Sequence, residues 1–237
     1  MAKLYFRYGA MNSGKSTALL QAAYNYEERD QLVLLAKPAI DSKGDTAIVS
    51  RLGVTRQVDF TIGPDEDVHD LFFLERRRAF ERFGKDVSCL LIDEAQFLNE
   101  GQVDDLLRIA VTERIPVLAY GIRTDFQTVA FPGSRRLLEV AHSLEELKTI
   151  CRCGRKAVFN ARRVGGQFVF DGDQVAIDTS TALSGGTSAV PGASAQEVAY
   201  ESLCGACYLE ESGGILNRGY RPRVEFSYRS GPDMDFA

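Results

Sequence analysis

Residues Gly9-Ala10-Met11-Asn12-Ser13-Gly14-Lys15-Ser16-Thr17 fit the phosphate-cradling pattern G-x-x-x-x-G-K-[ST], and their flanks restrict the fold further. Leu4 to Tyr8 has the character of a buried strand. Ser16 to Glu28 is a helix by pattern, with Leu19, Leu20, Ala23 and Tyr26 or Tyr24 at apolar spacing. A strand that feeds a glycine-bearing turn into a helix aims backbone N–H groups and the positive helix end at one point, which suits a polyphosphate. Lys15 then reaches the β- and γ-phosphates of ATP, and the Ser16 hydroxyl is a ligand for Mg²⁺.

The same alternation continues to about Val140. Gln31–Ala36, Val87–Ile92 and Ile115–Tyr120 are short apolar runs of strand type. Val68 to Phe83 is helical in pattern, with Leu71, Phe72, Leu74, Phe80 and Phe83 apolar. Asn99 caps a second helix to Thr112 that turns Val103, Leu106, Leu107 and Ala110 inward. Strands and helices alternating in this way imply a mainly parallel sheet covered on both faces.

The chain has 237 residues, 45% of them hydrophobic and 26% charged, which is ample for a sizeable core. No apolar stretch approaches a membrane span, and the first residues lack a signal-peptide layout, so the expected compartment is the cytoplasm. A net charge of −5 argues against nucleic-acid binding through a broad basic surface. The runs Arg76-Arg77-Arg78, Arg135-Arg136 and Arg162-Arg163 are expected to be solvated faces.

Near Thr149 the character changes to short polar strands and turns. This section is bracketed by Cys151-x-Cys153 and Cys204-x-x-Cys207, two close pairs that offer the four thiolates of a closed, structural Zn²⁺ site on hairpin-like knuckles. A redox pair at Cys204/Cys207 is the rival, disfavoured for want of a thioredoxin-like strand–helix setting. The fifth cysteine, Cys89, belongs to a buried strand. The expected units are therefore residues 1–148, a zinc-binding section 149–210 with a Ser/Gly-rich flexible insertion at about 178–197, and a loosely held tail 211–237.

Asp93 ends an apolar strand where open α/β sheets bind ligands, so it is the expected metal-side acid. Glu94 points differently and could take a proton from an attacking hydroxyl or orient a water. A small-molecule kinase and an ATPase therefore compete, the latter including a zinc-ribbon ATPase acting on nucleic acid. An Asn-Lys-x-Asp base-reading motif is absent, which excludes a GTPase of that type, and the chain is short for a helicase with two motor domains.

Taken together, the motifs resemble the thymidine kinase family of the zinc-containing, tetrameric type, its bacterial members in particular. The matching text is Ala2–Phe6, Gly9–Thr17, Lys37–Asp41, Asp93–Phe97, Tyr120–Phe126 and Leu147–Lys156, within residues 1–208. The resemblance implies a P-loop (RecA-like) α/β fold with a small zinc-binding lasso, and transfer of the ATP γ-phosphate to the 5′-hydroxyl of thymidine. It implies Glu94 as general base and an ATP site of Gly9, Ala10, Met11, Asn12, Ser13, Gly14, Lys15 and Ser16 with Asp93, Glu94, Ala95 and Gln96. Ser16 and Asp93 would serve Mg²⁺. Phe97, Ile122, Phe126, Phe131 and Tyr200 match positions around the nucleoside, with Val175, Ala176 and Ile177 less closely matched. A homotetramer and feedback inhibition by dTTP are further implications. Two departures stand out: Asp178 and the insertion interrupt the family's Gly-Gly turn before Tyr200, and Lys43 stands where arginine is common.

Overall fold

The computed structural model describes residues 2–39, 46–172 and 198–214. Lys43, the 174–178 segment with Val175, Ala176 and Ile177, the whole 178–197 insertion and the tail from 215 lie outside the described residues. The elements of the first part are β1 (Leu4–Tyr8), α1 (Lys15–Glu27), β2 (Leu32–Pro38), β3 (Ala47–Val49), β4 (Thr55–Gln57), β5 (Phe60–Ile62) and α2 (Val68–Phe83). They are followed by β6 (Val87–Ile92), α3 (Glu100–Thr112), β7 (Val117–Gly121), α4 (Pro132–Val140) and β8 (Ser143–Glu146). Then come β9 (Thr149–Ile150), β10 (Lys156–Ala157), β11 (Phe159–Val164), β12 (Gln167–Val169), β13 (Val198–Leu203) and α5 (Gly205–Glu211).

Six strands form one sheet in the order β5-β2-β6-β7-β1-β8, with every pairing parallel. The two-residue period of a strand divides the core. Leu34, Ala36, Leu90, Ile92, Val117 and Ala119 point to the face covered by Phe72 of α2, by Val103, Leu106 and Ile109 of α3 and by Leu137 of α4. Val33, Leu35, Cys89, Leu91, Leu118 and Tyr120 meet Leu19, Leu20 and Ala23 of α1 on the other face. The expected parallel sheet with helices on both faces is therefore present. Tyr26 rather than Tyr24 completes the α1 contact, since Tyr24 is 58% exposed. The α2 span matches its expectation, yet Leu74, Phe80 and Phe83 are exposed and the helix packs through Val68, Phe72 and Ala79.

The α3 start shows local chemistry at its clearest. Asn99 accepts the Gln102 N–H while the Gln102 side chain accepts the Asn99 N–H, a reciprocal cap on two otherwise orphaned donors. After β8, the antiparallel sheet β12-β11-β13 has its own small core of Cys151, Ala157, Ala161, Leu203, Cys204 and Tyr208. Among the described residues no helix is long and apolar enough to cross a membrane.

Candidate active site

The carboxyl ends of β1, β7 and β6 lie side by side, and each delivers one part of the site. Gly9, just past β1, donates its N–H to the Gly121 carbonyl at the end of β7 (3.3 Å). The loop then closes with the Ser13 N–H on the Ala10 carbonyl (3.3 Å), and Asn12 and Gly14 take positive φ angles of 65° and 78°. Gly14 adopts that geometry without the Cβ penalty that Asn12 bears. The Lys15 ammonium donates to the Ala10 carbonyl (3.0 Å), folded back along the loop. Burial lowers its pKa, against the pull of Glu94 and Asp93. The Ser13 hydroxyl oxygen is buried without a hydrogen-bond partner among the described residues, an orphan in the cradle that a phosphate oxygen would satisfy.

At the end of β6, Asp93 Oδ2 accepts the Ser16 hydroxyl at 3.2 Å. A hydroxyl and a carboxylate are hard oxygen donors, the ligand type that Mg²⁺ takes, so this pair fits that ion. Burial, with Glu94 beside it, pushes the Asp93 carboxyl up to about 6. Glu94 has φ 50°, a left-handed backbone that turns the chain sharply, and the adjacent acids diverge. Its N–H donates to Asp93 Oδ1 (3.1 Å), while its own carboxylate accepts from the Gln96 amide. The other end of that amide accepts the Ile122 N–H (3.2 Å). Gln96 thus spans from the acid to the loop after β7. Ala95 is fully buried beneath this turn.

The loop 122–131 carries the apolar candidates. Asp125 accepts the N–H groups of Gln127 and Val129, each at 2.8 Å, and Ser134 donates to the Ile122 carbonyl (2.6 Å). Phe131 meets Phe97 edge to face at 5.4 Å between centroids. Phe126, Ile122 and Phe131 are buried, and the Phe126 carbonyl accepts the Tyr208 hydroxyl (2.6 Å). The Arg162 guanidinium lies 4.0 Å from the centroid of the Phe126 ring. Arg162 is thus buried, not part of a solvated basic face, whereas Arg76 and Arg136 do sit in surface ion pairs with Asp86 and Asp104. Tyr200 pairs directly with Arg162 across β11–β13, so both belong to the sheet face turned toward Phe126. Ser134, Arg162 and Gln96's bridging role give no local signal in the sequence, because each acts through a partner at least 12 residues away, whereas Asp125 braces its own loop through partners two and four residues on.

The four paired cysteines form one cluster whose ligand atoms all lie within 4.8 Å of one another. The Cys153 and Cys204 sulfurs are 3.5 Å apart, near the ~3.8 Å edge of a tetrahedron built on zinc–sulfur bonds of ~2.3 Å. The donor set therefore fits a metal ion. Cys151 and Cys153 sit on the β9–β10 turn, as the hairpin-like expectation has it. Cys204 and Cys207 instead lie at the junction of β13 and α5, where Cys204 is the N-cap. That is a strand–helix setting after all, so its supposed absence does not dispose of a redox pair. The gathering of all four sulfurs is what favours a metal site over that pair. Backbone donation from the Cys207 N–H brings the Cys204 thiol down to about 6. Cys89 is fully buried, as expected.

The family model for thymidine kinase matches residues 2–208. A thymidine kinase of Idiomarina loihiensis is 51% identical over 180 residues, 75% of this chain and 89% of that protein. One from Chromobacterium violaceum is 44% identical over 211 residues, 88% of this chain and 98% of its own length. The thymidine kinase of Enterobacteria phage T4 is 44% identical over 179 residues, 75% and 89% of the two chains.

Proposed function

The chain belongs to the thymidine kinase family, and on that footing we propose how its residues phosphorylate thymidine. The family membership favours this kinase reaction over a zinc-ribbon ATPase acting on nucleic acid. The observation that supports the residue assignment is the meeting of Lys15 and Ser16 of the phosphate loop with Asp93 and Glu94 at the end of β6.

Gly9 to Ser16 cradle the ATP phosphates, Lys15 leaves the Ala10 carbonyl to bind the β- and γ-phosphates, and Ser16 with Asp93 holds Mg²⁺. The ion, when bound, neutralises charge on the transferred phosphoryl group. Glu94, oriented by Gln96, accepts the proton of the thymidine 5′-hydroxyl as its oxygen bonds to the γ-phosphorus. The bond from that phosphorus to the β–γ bridging oxygen breaks, and ADP and dTMP leave. Phe97, Ile122, Phe126, Phe131 and Tyr200 wall the thymine, for which flat rings are suited. Val175 to Ile177 join them as a proposal from the family pattern alone. Residues 1–148 and 149–210 act as the two units of this reaction, with Cys151, Cys153, Cys204 and Cys207 holding a structural Zn²⁺. The working assembly is a cytoplasmic homotetramer inhibited by dTTP. The exposed Phe73, Phe80 and Phe83 on α2 support a protein neighbour there.

A panel of nucleosides with γ-labelled ATP tests the function. Label should appear in dTMP when thymidine is the acceptor. ATP hydrolysis that ignores thymidine and yields no labelled nucleotide would overturn the reading.

A further inference from the structure

Met11 is at the outer bend of the phosphate loop, and the three-stranded sheet grips its backbone on both sides. Asn160 of β11 accepts the Met11 N–H at 2.7 Å, and the Ser202 hydroxyl of β13 donates to the Met11 carbonyl. Next along, the Asn12 carbonyl accepts from the Thr149 hydroxyl at 3.4 Å. Asn160 and Ser202 are both buried and pair directly across the two strands, so their side chains share one face. The Asn160 amide has a second partner, donating to the Thr124 carbonyl at 2.8 Å. Thr124 lies two residues before Phe126, in the loop that carries the apolar candidates. The orientation of the amide is dictated by its neighbours, because an N–H can meet only its oxygen and a carbonyl only its nitrogen.

We infer that Asn160 and Ser202 are positioning residues for the ATP site, acting through the backbone of Met11, and that Asn160 also ties this loop to the thymidine side through Thr124. The inference rests on reading Gly9–Ser16 as the ATP loop. A loop containing two positive-φ residues has many alternatives to its bound shape, and a ligand that must order it loses affinity. Fastening Met11 from the three-stranded sheet holds the bend at the cost of only the Met11 N–H among the loop's donors. These bonds cross from the three-stranded sheet to the first loop of the chain, 149 and 191 residues away in sequence. No pattern near Gly9 could announce them.

Steady-state kinetics of Ser202→Ala, Ser202→Thr and Asn160→Ala, with calorimetric binding of the β,γ-imido analogue of ATP, test the assignment. Ser202→Ala should raise KM for ATP roughly fivefold to tenfold, the loss expected of one hydrogen bond, with kcat and the thymidine KM changed by less than about twofold. Ser202→Thr keeps the hydroxyl and should restore the ATP KM. Asn160→Ala should raise both KM values, since it also releases Thr124. If Asn160→Ala fails to fold, the Ser202 pair decides alone. Equal rises in both KM values for Ser202→Ala, or undiminished analogue binding by that variant, would overturn the positioning role. Failure of the unmodified protein to bind the analogue would instead overturn the reading of the loop itself.

Discussion

Glu94 sits in a left-handed backbone conformation that an ordinary side chain adopts only at a cost of about 1–3 kcal/mol. The surrounding bonds hold it there: its N–H on Asp93, its carboxylate on Gln96, and Gln96 in turn on Ile122. Replacing Glu94 with Gln leaves an oxygen to accept from Gln96 but removes the base. The expected result is unchanged ATP-analogue binding with kcat reduced about 10²- to 10⁴-fold. Turnover at the unmodified rate would remove Glu94 from the chemistry. The pair Asp93-Glu94 was legible because it ends an apolar strand. Gln96 was readable as a neighbour of that pair, but its service to Ile122 was not, since the partner is 26 residues on. Arg162 shows the opposite failure. Beside Arg163 it resembles half of a surface run, yet strand alternation sends the two side chains to opposite faces, and only Arg162 reaches Phe126.

Among the elements, the long periodic ones were predictable nearly to the residue, as with α2, β6 and the Asn99 cap of α3. The sheet edges β5 and β8 were not, because strands of three and four residues offer too short a pattern for periodicity. Cys204–Cys207 likewise hides a helix, α5 being only seven residues long. A contact between elements gives a sharper test. A Cβ built on Gly133, in the first turn of α4, would meet the Ala95 carbonyl oxygen at 2.5 Å and that of Leu98 at 2.6 Å. Both are backbone atoms of the turn that follows Glu94, so neither can swing aside. Gly133→Ala should therefore lower stability by about 1–3 kcal/mol in urea unfolding and reduce kcat by displacing that turn. A variant as stable and as active as the original protein would show that α4 does not set the position of the turn.

For the molecule as a whole, the cysteine cluster joins the β9–β10 turn to the β13–α5 junction. Its two pairs were visible as metal-type spacings; that they meet depends on β13 returning to β11, which no short-range pattern records. Metal analysis should give about one zinc ion per chain, and removal by a chelator should lower the melting temperature, since metal binding and folding share their free energy. The stripped protein should also bind the ATP analogue more weakly, because the sheet that loosens is the one that grips Met11. Protein that lacks metal yet melts at the same temperature would contradict this. The fastening of Met11 carries a consequence for biosynthesis too. A ribosome makes the nucleotide loop well before β11 and β13, and domains generally fold in order of synthesis. Here the loop must wait for Asn160 and Ser202, so a nascent or truncated chain can complete much of its parallel sheet while still unable to hold its nucleotide firmly. Firm nucleotide binding therefore follows synthesis of the strand that carries Ser202, late in the order in which the described elements are made.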